Sequence, residues 1–140
     1  MAQDFSLDHS AATSFTISLN SLADGADVTS SSIDLGATSE VAFLLEIVLD
    51  GGASSTGNCE IYLQWSGDDS KFPTVKADES DPNDQFIDII RMDTTTEVVW
   101  TDRMEVKGRY VKVRIWNQSG DSLAASGNTA KIYPIHGDIA

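Results

Sequence analysis

His9 and His136 are the only imidazoles in this chain of 140 residues, and Cys59 is its only thiol. General acid–base or nucleophilic catalysis needs such groups within hydrogen-bond reach of one another. Both histidines lie near chain ends, where positioning is hardest, and no Gly-x-Ser-x-Gly elbow singles out a nucleophile among the serines. The residues therefore read as those of a non-enzyme. Cys59 falls in an alternating run, which predicts a small buried side chain, and no internal disulfide can form. Six acids, Asp68, Asp69, Asp78, Glu79, Asp81 and Asp84, crowd two polar stretches and raise the question of Ca²⁺. Their spacing matches no EF-hand, so they read as solvated loop acids, with no metal or cofactor expected. Tyr110, Lys112, Arg114 and Trp116 recur at every second position. On a strand they share one face, where aromatic rings beside cations suit stacking on a sugar or another protein, or covering by a loop of the same chain. Phe5 and Leu7 near the start, with Ile135 and Ile139 near the end, are apolar anchors in polar surroundings and complete the set of candidate partner-binding residues.

Positioning these residues falls to β-strands. Residues 59–65 and 109–116 alternate apolar and polar side chains with a period of two, the pattern of a half-buried antiparallel sheet. Similar runs occur at 15–19 and 30–35, and the β-rich 94–100 and the segment 129–135 read as further strands. Residues 40–50 are the most apolar segment; a helix would also suit them, but their β-branched residues and the turn after Asp50 favour a strand covered on both faces. Residues 86–92 suit either a helix, with Asp81 as its cap and Pro82 in the first turn, or a strand; their isoleucines favour the strand. Gly67 is the residue expected to take positive φ in the turn after Trp65. Residues 71–85, with two of the three prolines and four acids, read as the longest loop and too hydrophilic for core. The reading is an all-β chain of about eight strands in an antiparallel two-sheet sandwich, jelly-roll-like, with an extended N-terminal arm at 1–14, the sandwich at 15–135 and a short tail at 136–140.

The length suits one domain burying about two-thirds of its unfolded surface. No apolar run approaches the roughly 20 residues that cross a bilayer, and no basic region precedes an apolar stretch at the start, so a cytoplasmic origin is expected. The formal charge is −13, and the first 70 residues hold eight Asp and three Glu with no Lys or Arg. Such a field repels nucleic acid and anionic lipid, which excludes direct nucleic-acid and membrane partners. It suits either simple solubility or docking on a basic protein surface, and the cations at Lys107, Arg109, Lys112, Arg114 and Lys131 also allow copies of the chain to meet.

Tyr62-Leu-Gln-Trp-Ser-Gly-Asp-Asp-Ser70, followed by Gly108-Arg-Tyr-Val-Lys-Val-Arg-Ile-Trp-Asn117-Gln-Ser-Gly, resembles small β-sandwich proteins of tailed-bacteriophage particles, in particular the capsid cement or decoration proteins with a jelly-roll fold. The resemblance spans about residues 41–135 and includes no functional motif. It implies a non-enzymatic component of the virion surface, assembled in the host cytoplasm, that binds the major capsid protein, staples neighbouring subunits and self-associates as a dimer or trimer. Arg109-Tyr-Val ahead of an alternating strand is also similar to discoidin-like carbohydrate-binding modules, which makes glycan binding the alternative; a phage tail or fibre component is the other. The chain departs from those modules in lacking their loop aromatics and paired cysteines.

Overall fold

The computed structural model describes residues 5–9, 11–36, 40–74 and 84–139. Eleven strands are defined among them: β1 (Phe5–His9), β2 (Thr13–Ser14), β3 (Asp27–Thr29), β4 (Ile33–Asp34), β5 (Glu40–Asp50), β6 (Asn58–Ser66), β7 (Gln85–Arg91), β8 (Thr96–Trp100), β9 (Met104–Glu105), β10 (Tyr110–Gln118) and β11 (Thr129–Ile139). All pairings are antiparallel. A six-stranded sheet runs β1–β11–β5–β8, with β2 also along β11 and β9 also along β5; a five-stranded sheet runs β3–β10–β6–β7, with β4 along β10. The chain is an all-β two-sheet sandwich, as its alternation predicts.

The core lies between the sheets. Phe43, Leu45, Ile47 and Leu49 from β5 meet Ile61 and Leu63 from β6 and Val111, Val113 and Ile115 from β10, all fully buried. These are the alternate residues of each strand, so the pleat alone sends them inward. Close approach between loops decides one position after β5: a Cβ at Gly51 would collide with the Asp93 carbonyl oxygen, so only glycine fits.

Several expectations are corrected. Residues 15–19 form no ladder, although Phe15 and Leu19 are buried. Alternation reports which side chains face the core, and an extended segment can satisfy it without a partner strand. The run at 30–35 is split, because Ser30 gives its backbone N–H to Val113 O and its hydroxyl accepts from Val113 N–H, between β3 and β4. The 86–92 run is strand, β7 covering it up to Arg91, but the register shifts between Ile61 and Tyr62 of β6. That bulge separates Phe86, which is exposed, from Ile90, which is buried, although simple alternation put them on one face. In the turn after β6 the left-handed residue is Asp69, with φ 60, not Gly67. The arm and tail do not stand off separately: Phe5–His9 pairs in full with Ile135–Ile139, from Phe5↔Ile139 to His9↔Ile135.

Candidate functional site

The outer face of the five-stranded sheet carries the aromatic and cationic residues that alternation puts together, and the chain itself covers much of it. Arg114 is fully buried, so it is not the exposed partner-binding residue the sequence suggests. Its Nε donates to Asp84 Oδ2 at 2.8 Å, its Nη1 to Asp27 Oδ2 at 3.3 Å, and its guanidinium lies 4.2 Å from the Tyr62 ring centroid. Burial opposes the guanidinium charge, but the Asp84 hydrogen bond and the Asp84 and Asp27 charges outweigh it and hold the pKa above the ordinary value. Asp84, expected as a solvated loop acid, is thus a buried counter-ion, and it also accepts from Gln64 Nε2 at 3.3 Å. Burial first, then the hydrogen bond to Glu60, pushes the Tyr62 hydroxyl up to about 12.

Around this ion cluster the other expected residues divide. Phe72 of the long loop sits 4.0 Å beneath the Lys112 ammonium. Trp116 is half-buried, with its indole N–H on Gly25 O at 3.3 Å, and Tyr110 is half-buried against Arg109. Of the apolar anchors, Ile135 is 2% exposed and belongs to the interior. The backbone register brings Phe5, Leu7, Ile135 and Ile139 to one ribbon made from the two chain ends. Among the acids weighed for a metal, Asp68 spends one carboxylate oxygen on Ser66, Ser70 and Lys71 of its own turn; Asp78, Glu79 and Asp81 lie outside the described residues.

The outer face of the six-stranded sheet also carries exposed large apolar side chains. Directly paired residues of an antiparallel sheet share a face, and the register here runs Thr129–Val48–Val98, Lys131–Glu46–Trp100 and Tyr133–Leu44 across β11, β5 and β8. Trp100 is 52% exposed and Val98 55%. The Trp100 and Tyr133 rings lie 5.0 Å apart, tilted by 46°, and the Tyr133 hydroxyl donates to Glu46 Oε2 at 3.3 Å. Burial, then the Glu46 charge, raises the Tyr133 pKa. So β5 is not covered on both faces: its inner residues are sealed, whereas Leu44, Glu46 and Val48 remain half-buried on an uncovered side. Sequence reading missed Trp100 and Tyr133. The available signal was a strand apolar on both sides, but only the register shows which strands flank it.

Beside this face, where β7 of one sheet approaches β8 and β9 of the other, a crevice of about 410 Å³ is lined by Ile87, Asp88, Trp100, Thr101, Asp102 and Met104. Among the described residues no group of three or more His, Cys, Asp or Glu side chains is placed to hold a metal ion.

No protein-family model matches the chain, and no curated protein does. Among solved structures it is similar to the carbohydrate-binding module Xyl-CBM35 in complex with a glucuronic-acid-containing disaccharide, at 17% identity over all of this chain and 88% of that one, with a TM-score of 0.45. It is also similar to an exo-β-1,3-galactanase from Phanerochaete chrysosporium, at 10% identity over 89% of this chain and a TM-score of 0.42, where it spans only 26% of the enzyme. A chitosan-binding module from a Paenibacillus sp. IK-5 chitosanase/glucanase gives 12% identity over 90% of this chain and 93% of the module, with a TM-score of 0.31. Similarity at this level assigns neither ligand nor activity.

Proposed function

We propose that the chain is a non-enzymatic coat component that docks on other proteins through the outer face of its six-stranded sheet, as the phage cement proteins that its sequence resembles do on a capsid. The observation that carries this reading is the uncovered side of β5, where Leu44 and Val48 lie beside Val98 and Trp100. Exposed apolar and aromatic side chains grouped on one sheet face, here around the Glu46–Lys131 pair, mark interaction sites. The partner in this reading is the major capsid protein, with further copies of the chain completing a dimer or trimer on the shell. A stable attachment would bury on the order of 1,200 to 2,000 Å² in total. Because the face is apolar, attachment survives high salt, whereas an acidic surface steering on basic sites would weaken.

Incubation with shells lacking the protein, followed by pelleting in high salt, tests the reading. The native chain should co-sediment, and Val98→Glu should abolish co-sedimentation without loss of fold. Equal pelleting of both proteins, or of neither, overturns it.

A second reading, carbohydrate binding, rests on a different feature of the same face. The Trp100–Tyr133 pair has Glu46 and Lys131 alongside, an aromatic platform with an acceptor and a donor next to it. Glycan-array binding that Trp100→Ala removes, with no attachment to shells, would select this reading.

A further inference from the structure

The crevice between the sheet edges has features that the docking face lacks. Its carboxylates come from opposite sheets: Asp88 from β7, and Asp102 from the link between β8 and β9. Asp88 uses Oδ1 to accept its neighbour's N–H, from Ile89, at 2.8 Å; among the described residues its Oδ2 has no partner and Asp102 makes no hydrogen bond or ion pair. Ile87 and Met104 supply apolar wall, and Trp100 belongs to both the crevice and the open face.

We infer that the crevice is a binding site for an arginine side chain presented by the docked protein. Each part of arginine has a counterpart there. The methylene stem lies along Ile87 and Met104, the planar guanidinium stacks on the Trp100 indole, and its N–H groups donate to Asp88 and Asp102. Charge complementarity selects this occupant, because a chain of formal charge −13 attracts a cationic side chain and repels an anionic one. The shared Trp100 explains why such an arginine would come from whatever covers the face. The inference rests on the protein-docking reading for its partner, but the crevice can be probed alone.

The test is a titration of the full chain with Nα-acetyl-arginine amide, followed by NMR at the Trp100 indole N–H, with Nα-acetyl-norleucine amide and glucosamine as comparisons. The arginine probe should give saturable shifts at Trp100, Ile87 and Asp102, and the double variant Asp88→Asn/Asp102→Asn should weaken it by about tenfold or more. Absence of saturation, equal response to the norleucine probe, or preference for glucosamine overturns the inference. Val98→Glu, which disables docking, should leave this titration unchanged, so failure of the crevice and failure of the docking face are read separately.

Discussion

Arg114 illustrates how much one side chain can hold together. Its guanidinium joins the Asp84 end of the long loop, Asp27 at the start of β3 and the ring of Tyr62 on β6, all from a fully buried position on β10. A buried pair of this kind adds little over an apolar packing of the same shape, but losing one partner strands the other charge without water. Arg114→Met should therefore cost about 3–5 kcal/mol, because Asp84 stays buried without its counter-ion. Replacing both, as Arg114→Met with Asp84→Leu, should cost less than Arg114→Met alone. Urea unfolding of the three proteins measures both differences, and a double variant less stable than Arg114→Met would refute the account. Alternation put Arg114 on the correct face from sequence alone. It could not show that the face is covered, because the covering residue lies in a loop 30 residues away with no periodicity of its own.

At the level of the element, the turn after β6 is held by a carboxylate. Asp68 accepts from the backbone N–H groups of Lys71 and Ser70 and from the Ser66 hydroxyl, and these bonds, the Lys71 bond foremost, lower its pKa to about 2. A carboxylate held below its unfolded value of 3.8 contributes stability that is fully present above that value and is lost as pH falls towards about 2. The carboxyl resonance of Asp68 should thus titrate near 2, and Asp68→Asn should remove the stability difference over that window. A midpoint near 4 would contradict the bonding described. Strand positions in β6 and β10 were legible because one face of each is core and the period of two records it. Residues 15–19 carry the same period without a ladder, since burial, unlike hydrogen bonding, leaves a trace in residue type. The bulge at Ile87 and the left-handed Asp69 were not legible, because each answers to a partner strand or a local bond network and not to the residue's own preference.

For the molecule as a whole, the question is how a sandwich with an 11-residue strand, β11, avoids pairing with its neighbours. One side of β11 is taken by β5, and the other by β1 and β2, with Ser14 opposite Lys131 and Phe5 opposite Ile139. The chain's first residues therefore act as the covering strand of a sheet that would otherwise present a long unpaired edge. Removing residues 1–14 leaves the inner core residues of β5, β6 and β10 untouched, so the truncated chain should keep its β-sheet signal and unfold cooperatively. It should also expose residues 131–139 of β11 as a template for strand addition, and associate in proportion to its concentration in analytical ultracentrifugation, at concentrations where the full chain does not. Restoring residues 1–14 as a separate peptide should reverse that association by reoccupying the edge. A truncated chain that stays monomeric would mean that β1 and β2 do not protect the sheet, and one that unfolds would mean that they are part of the sandwich itself.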